Sequence, residues 1–199
     1  MTTGKMAMDG RVTTRVNRAP GPGLLWKVRN LPNVWPGAWR HALAQALSMN
    51  HMLGELRAVL LRADGSRVNY GLVSTRLVTT AFVNLMVDQL QTETSVWGDF
   101  KYHDSGVGTT GAAEGDTGIE TTDGEDRATG NQGEGASANI YKSVGTITYT
   151  TTKAITEHGL FNTSDSATLM DRHVFSAINV VNGDSIRAGW RQPAGALAA

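Results

Sequence analysis

The sequence predicts a mainly β protein, a β-sandwich or jelly-roll-like domain with one or two short helices and an extended N-terminal arm. The prediction depends on two observations. In the last third of the 199 residues, β-branched and aromatic residues alternate with polar ones through SVGTITYTTTKAITEHGLF and TLMDRHVFSAINVVNGDSI, which is typical of strands. Turn signals at ADGS and at Asn182–Asp184 separate such runs. Together they predict six to eight short strands, as in a sandwich or jelly roll.

The chain divides into residues 1–53, a basic arm containing Pro and Trp followed by a helix, and residues 54–199, the β-sandwich domain. Four of the five prolines lie in the first 36 residues. Because proline lacks a backbone donor, we predict that this stretch is extended. Apolar residues at three- and four-residue steps, among them Trp39, Leu43 and Leu47, predict a helix after Gly37.

A second helix is predicted where TTAFVNLMVDQLQT follows the first hairpin. Thr79 or Thr80 can cap it, and the residues expected to share its buried face are Phe82, Leu85, Met86 and Leu90. Residues 103–139 are rich in Gly, Asp and Glu and almost free of large apolar side chains. We interpret them as one long loop that is exposed or contacts a partner.

The charge distribution is asymmetric although the formal net charge is zero. Residues 1–62 contain nine Lys or Arg against two acidic residues, whereas residues 88–135 contain eleven acidic residues against two basic ones. Such asymmetry favours contact with oppositely charged neighbours, including copies of the same chain. With no net charge, no membrane-length apolar run and no signal peptide, we expect a soluble protein that binds neither nucleic acid nor membrane.

The sequence offers little evidence for a cofactor-binding site or an enzyme active site. The absence of cysteine excludes disulfides, thiolate metal sites and a cysteine nucleophile. GVGTTG, residues 106–111, matches GxGxxG, but that fingerprint needs a strand before it and a helix after it, and its flanks predict neither. His103, Asp104 and Ser105 are adjacent, and adjacent side chains do not converge into a triad. We interpret them as the start of a loop and expect no cofactor, no small-molecule substrate and no enzyme activity.

Acidic residues cluster within the predicted long loop, at Glu114, Asp116, Glu120, Asp123, Glu125 and Asp126. Several carboxylates on one flexible loop suit a hard cation such as Ca²⁺. Their spacing matches neither the EF-hand loop nor a repeating calcium motif. We therefore favour a solvated or partner-facing loop over a metal site.

KAITEHGLFN places Glu157 beside His158 in a run that otherwise reads as an apolar strand. Because successive side chains of a strand point to opposite faces, we group Glu157 with Ile155 and His158 with Thr156. One of the pair is then buried and needs a hydrogen bond, in the core or in a subunit interface, with His173 as a candidate partner. A His–His–Glu metal site is the alternative.

Several segments together resemble a family of virion proteins from tailed bacteriophages. They include HDSGVGTTGAAEGDT, AITEHGLF and LMDRHVFSAINVVNGDSI, and the resemblance covers residues 54–186, roughly two-thirds of the chain. It implies a β-rich structural component of a phage particle and not an enzyme. After GDSI the sequence RAGWRQPAGALAA departs from the family pattern, so we expect a last strand that is shortened or differently paired.

The resemblance leaves several roles in the virion open, and our leading hypothesis is a capsid decoration or cement protein. Such a protein is made in the host bacterial cytoplasm and binds the outside of the head shell, contacting the major capsid protein and other copies of itself as a dimer or trimer. Because Trp and Arg dominate many interfaces, we assign partner binding to Arg11, Arg15, Arg18, Trp26, Lys27, Arg29, Trp35 and Trp39.

Besides a head–tail connector component, which we would expect to be more helical or to insert loops into a ring, two alternatives remain open. The first is a tail fibre, a head fibre or another tail-associated structural protein, although the sequence lacks the repeats that fibres usually show. The second is a sandwich that binds glycans on the host surface, for which Tyr102, Tyr141 and Trp97 flank the predicted loop.

Overall fold

The structure is a computed structural model that describes residues 20–46, 52–91, 99–135 and 140–193. In these ranges it contains two antiparallel sheets and two helices, which confirms the predicted β-sandwich class. The elements are α1 (Leu24–Ala46), β1 (Leu53–Leu61), β2 (Arg67–Leu77), α2 (Thr80–Gln91), β3 (Tyr102–Gly106), β4 (Ala128–Thr129), β5 (Asn131–Glu134), β6 (Ile140–Thr148), β7 (Lys153–Phe161), β8 (Leu169–Val180) and β9 (Ser185–Pro193).

The first sheet has the strand order β2-β1-β9-β6-β5. Its β1–β2 hairpin turns at the predicted Asp-Gly, where Gly65 has a φ of 82° and the Asp64 carboxylate accepts a hydrogen bond from the Ser66 amide at 2.8 Å. Strand β9 pairs with β1 on one side and β6 on the other. Of the two predicted alternatives, a last strand that is shortened or one that is differently paired, the first is wrong, because β9 has nine residues. The ladders on both sides stabilise β9, while Ile186 and Ala188 supply its buried face.

The second sheet has the strand order β4-β3-β7-β8. Strands β3, β4 and β5 lie within the stretch that the sequence predicted as one loop, so that prediction is wrong for these strands. Their sequences, YHDSG, AT and NQGE, are polar and short. Because such runs have no apolar alternation, strand signals miss them. Residues 107–127 connect β3 to β4, and part of this connection covers the outer face of the second sheet, the face turned away from the first sheet.

The two sheets pack face to face around a core with two apolar clusters. The larger cluster includes Leu60 and Ile186 of the first sheet with Phe175 and Ile178 of the second. The smaller cluster lies beneath α2 and includes Phe82, Phe100, Leu160 and Met170. Along β7, His158 lies between Ile155 of the larger cluster and Leu160 of the smaller one. A polar layer therefore separates the two apolar clusters.

Helix α2 begins as the sequence predicts. The Thr79 hydroxyl accepts a hydrogen bond from the Phe82 amide at 3.2 Å and donates one to the Leu169 carbonyl at 2.6 Å. Phe82 packs edge-to-face on Phe100, with ring centroids 5.1 Å apart. Leu90, predicted to share this face, is instead 86% exposed. Leu90 follows Phe82 by eight residues, which places it about 80° away from Phe82 around the helix axis. Gln89 therefore takes the inward position in the last turn.

Helix α1 corrects the predicted N-terminal arm. It extends over Leu24–Ala46 and contains both Pro32 and Pro36, so residues 24–36 are helical where we predicted extended chain. Each proline removes one helical hydrogen bond, which costs stability. This cost is offset because the helix docks on the sandwich through β2 and β8. Residues 1–19 of the predicted arm lie outside the described residues.

Candidate functional site

The Glu157 carboxylate is the centre of a buried polar site on the outer face of the second sheet. Its Oε1 accepts hydrogen bonds from the backbone amides of Gly108 and Thr121, both at 2.9 Å. Its Oε2 accepts from the Glu120 amide at 3.1 Å and from Arg172 Nε at 2.7 Å. Glu157 has no exposed surface. A carboxylate with four such donors is fully satisfied, so its geometry is that of a structural anchor.

A β-bulge changes the predicted alternation around this glutamate. The pairing of β7 with β8 shifts between Ile155 and Glu157, so Thr156 and Glu157 point the same way and both bond Gly108. Ile155 lies in the sandwich core, on the side of His158. The predicted grouping of Glu157 with Ile155 is therefore wrong, because residues 175–177 of β8 lie opposite the single residue Thr156 and this irregularity interrupts strict alternation.

Arg172 connects the glutamate to the acidic segment that covers it. Its guanidinium is 3.1 Å from Asp116 and 3.0 Å from Glu120, in addition to the Glu157 contact. Glu120 also accepts hydrogen bonds from the amide and hydroxyl of Thr110. These ion pairs hold residues 107–121 against the sheet, which gives the acidic cluster a structural role.

Other members of the acidic cluster also bond within the chain. The Ser105 hydroxyl donates to the Asp123 carboxylate, and Glu125 accepts from Thr150 and pairs with Lys153 at 2.7 Å. Among the described residues, no group of three or more His, Asp or Glu side chains is arranged to hold a metal ion. The preference for a solvated or partner-facing loop over a metal site stays a prediction.

GVGTTG acts here as a cover for an internal carboxylate. A Cβ added at Gly106 would lie 2.4 Å from the Thr121 carbonyl, and one added at Gly108 would lie 2.5 Å from Glu157 Oε1. Both positions therefore need glycine for close approach. The Gly108 amide, which in a dinucleotide fingerprint would face phosphate, instead binds Glu157. The negative charge that this loop binds belongs to the protein itself.

His158 points into the sandwich and begins a buried histidine chain. Its Nε2 is 3.0 Å from His103 Nδ1, and His103 Nε2 is 2.8 Å from the Ser143 hydroxyl on the opposite sheet. His173, the partner that the sequence suggested, lies opposite His158 in the strand register but contacts Asp171 at 2.8 Å. Both Glu157 and His158 are thus buried, whereas we expected one, because residues 107–121 cover the outer face.

Burial favours the neutral form of His103 and His158. It lowers the pKa of His103 to about 4, although the charge of Asp171 acts to raise it. Burial also lowers the pKa of His158 well below its usual value, and the neighbouring His103 and His173 rings act in the same direction. Neutral imidazoles suit the chain, since each ring offers one donor and one acceptor.

The buried serine and histidine are spaced like a nucleophile and its base. Ser143 and His103 are, however, fully buried, with 0% exposure. His103, Asp104 and Ser105, the adjacent residues of YHDSG, do not converge into a triad either. Asp104 pairs with Arg127 at 2.9 Å, while Ser105 bonds Asp123. Because β3 is a buried strand, our interpretation of YHDSG as the start of a loop is wrong.

Helix α1 contacts its own sandwich through polar groups. The Asn30 side chain donates to the Val73 carbonyl of β2 at 2.7 Å and accepts from the Ser176 amide of β8 at 2.8 Å. Trp26 Nε1 donates to the Ser176 and Ala177 carbonyls at 3.0 and 3.1 Å. The helix therefore bridges β2 and β8, the edge strands of the two sheets.

The opposite side of α1 exposes an apolar stripe. We name it the α1 stripe, and it consists of Leu24, Val28, Leu31, Trp35 and Trp39, with Leu25 and Leu43 beside it. These side chains are between 43% and 77% exposed. Successive stripe residues are three or four positions apart, which places them along one side of the helix. A helix that buries polar groups and exposes its apolar side is typical of a surface that binds a partner.

The predicted partner-binding residues separate into three groups. Trp35 and Trp39 lie in the α1 stripe, and Lys27 and Arg29 are exposed on the same helix. Trp26 is half-buried, bonds β8 and packs on Tyr70 with centroids 4.7 Å apart, so its indole ring is engaged within the chain and its role in partner binding stays a prediction. The remaining predicted residues, Arg11, Arg15 and Arg18, lie outside the described residues. Sequence reasoning missed the leucines and Val28 because the prolines concealed the helical spacing.

The described residues contain no helix that is long and apolar enough to cross a membrane. Of the residues suggested for glycan stacking, Tyr141 donates its hydroxyl hydrogen to the Phe100 carbonyl at 2.6 Å and is half-buried, while Trp97 lies outside the described ranges. Compared with family models, curated proteins and solved structures, the chain has no match. A proposal of function therefore depends on the α1 stripe and on the sequence resemblance.

Proposed function

We propose that this protein is a non-enzymatic structural component of a tailed-phage virion, and specifically a capsid decoration protein on the outside of the head shell. The observation that carries the proposal is the α1 stripe. A sandwich that turns five large apolar side chains of one helix toward solvent gains stability when another protein surface covers them. Decoration is a function of this kind, because it consists of contacts between subunits.

The charges of α1 are consistent with this role. The described helix contains Lys27, Arg29 and Arg40 and no acidic residue. Basic side chains beside an apolar stripe suit a partner with an acidic surface, since charge steers the encounter while apolar burial supplies affinity. A decoration protein that binds only the assembled shell would stabilise it by mass action. The expected partners are the major capsid protein and further copies of this chain.

The buried polar sites fit a structural role as well. Glu157 and Arg172 use their hydrogen bonds to hold an internal segment, and the histidine chain lies in the closed interior. Neither arrangement offers an exposed reactive group. A fibre or tail-associated protein would use the same apolar stripe, and location on the particle distinguishes these roles.

The test is the copy number and location of the protein on purified particles. Quantitative mass spectrometry should give a copy number comparable to that of the major capsid protein, and immunogold labelling should cover the head. A few copies per particle, or labelling confined to the tail, would contradict decoration and support the tail-associated alternative. Glycan binding is tested separately, since it predicts that the isolated protein binds host cells and that the binding is competed by surface polysaccharide.

A further inference from the structure

We propose that the α1 stripe is covered by the α1 stripe of a second copy of this chain, in an antiparallel dimer with two-fold symmetry. This inference names one partner of the proposed structural protein and rests on the proposed function for its biological setting. Its physical basis is independent of phage particles, because it uses only residues of this chain. It is therefore tested on the isolated protein.

The order of side chains along the stripe is self-complementary. In an antiparallel pair centred between positions 31 and 32, Leu24 faces Trp39 of the second copy and Val28 faces its Trp35. Leu31 lies beside the symmetry axis and contacts Leu31 of the second copy. Each tryptophan therefore meets a smaller aliphatic side chain, and this alternation of large and small residues lets two surfaces interdigitate. A two-fold contact requires such a self-complementary patch.

The charges of the helix do not oppose one another in this register. Lys27 faces Pro36 of the second copy, Arg29 faces Val34 and Arg40 faces Gly23. Like charges directly opposite would disfavour the pair, and none arises among the described charged residues of α1. Since no acidic side chain lies on the helix, its basic residues remain at the rim of the dimer. There they stay available for an acidic partner such as a shell.

The exposed area is sufficient for a stable contact. Seven large apolar side chains of α1, two of them tryptophans, are 43% to 77% exposed. Together they offer an area on the order of the ~800 Å² that each partner contributes to a standard interface. The second helix, α2, exposes the smaller set Val83, Val87 and Leu90. Its Leu90 provides a matched control, because it is an exposed helical leucine outside the stripe.

The first experiment measures the oligomeric state of the full chain by sedimentation equilibrium over a range of concentrations. We expect a dimer for the wild type. Leu31→Arg should raise the dimer dissociation constant by about 100-fold or more, since it places two like charges at the axis of the interface. Leu90→Arg should leave it unchanged. A monomeric wild type, or equal effects of the two substitutions, would overturn the proposal.

A second experiment tests the two-fold register and does not depend on a single disruptive variant. Leu31→Glu and Leu31→Lys should each be monomeric, because residue 31 of one copy contacts residue 31 of the other copy across the two-fold axis and like charges repel there. An equimolar mixture of the two variants should form a heterodimer, in which opposite charges meet at the axis. Circular dichroism of each variant should match the wild type, since Leu31 is 56% exposed. A mixture that stays monomeric would refute the antiparallel pairing.

Discussion

The Glu157 carboxylate and the Arg172 guanidinium form an ion pair at 2.7 Å in which the two side chains are 0% and 3% exposed. Such burial costs both groups their hydration, and the cost is repaid only with good geometry and further hydrogen bonds. Here the backbone amides of Gly108, Glu120 and Thr121 supply those bonds. The pair therefore connects the sheet to the segment that covers it.

Replacing Glu157 with Gln should destabilise the protein by about 3–5 kcal/mol, because Arg172 loses its fully buried carboxylate partner and keeps only the partly exposed Asp116 and Glu120. A glutamine also brings an NH₂ group to a position where backbone amides need an acceptor. We expect urea unfolding to show the loss of stability and hydrogen exchange to show faster exchange of the amides of residues 107–121.

The matched control for this substitution is Glu114→Gln in the same segment, where the side chain is exposed. Its effect should stay within about 0.5 kcal/mol, as is usual for surface positions. Equal stability losses in the two variants would show that the ion pair does not anchor the segment.

The Glu157-His158 dipeptide shows which features of the site could be predicted from the sequence and which could not. Strand alternation correctly separates the two side chains onto opposite faces. It cannot anticipate that polar residues 107–121 cover the outer face, because these residues are held by ion pairs and backbone amides and not by apolar contacts. Nor does alternation reveal the register irregularity around Thr156, since a local change in strand pairing leaves no compositional signal. Both features depend on contacts between segments far apart in the chain.

The histidine chain predicts that stability falls as the pH is lowered from about 6.5. The unfolded chain binds protons with an ordinary histidine pKa near 6.5, whereas the folded-state pKa of His103 is lowered to about 4. The unfolded state therefore binds more protons over this window, and the free energy of unfolding decreases as the pH falls. At about 1.4 kcal/mol per pKa unit, His103 alone accounts for a loss on the order of 3 kcal/mol by pH 4.

The measurement is urea unfolding at pH 7, 6 and 5, with His103→Gln as the comparison. The variant should be less stable at pH 7 but should depend less on pH, since one of the neutral buried imidazoles is gone. His158, His173 and Asp171 still face the site from β7 and β8, so some dependence should persist. A wild-type stability that is flat from pH 7 to pH 5 would contradict the prediction.

The position of His103 leads to a prediction about Gly145 in β6. A Cβ added at Gly145 would lie 2.4 Å from Cδ2 of the His103 ring, and the ring is held by Ser143 and His158 and cannot move freely. Gly145→Ala should therefore destabilise the protein by about 1–3 kcal/mol, the usual cost of overpacking. Thermal unfolding of the variant measures this cost.

Gly133→Ala is the control for this prediction, because nothing lies within 4 Å of a Cβ at Gly133. It should be neutral or slightly stabilising, since alanine restricts the unfolded chain. If Gly145→Ala proved as mild as the control, the His103 ring would not be fixed where the structure places it.

Helix α1 shows why part of the molecule escaped prediction from sequence. Its apolar residues recur at helical spacing from Leu24 to Trp39, but Pro32 and Pro36 favour extended chain by local rules. The helix is stabilised by tertiary contacts through Asn30 and Trp26, and these contacts outweigh local propensity. The strands in the last third of the chain could be predicted from local sequence, because their alternation and turn signals agree with the sandwich.

The docking of α1 on the sandwich should depend on Asn30, which is 2% exposed and bonds both β2 and β8. Asn30→Ala leaves the Val73 carbonyl and the Ser176 amide without these partners, a loss of about 1–3 kcal/mol. Because the contact joins the helix to the sheets, the effect should appear first as faster hydrogen exchange in α1 and as a red shift of Trp26 fluorescence. Lys27→Ala, at an exposed neighbouring position, should change neither. Unaltered exchange in α1 of Asn30→Ala would indicate that other contacts suffice to hold the helix, and that the bridge between the two sheet edges does not orient the α1 stripe toward solvent.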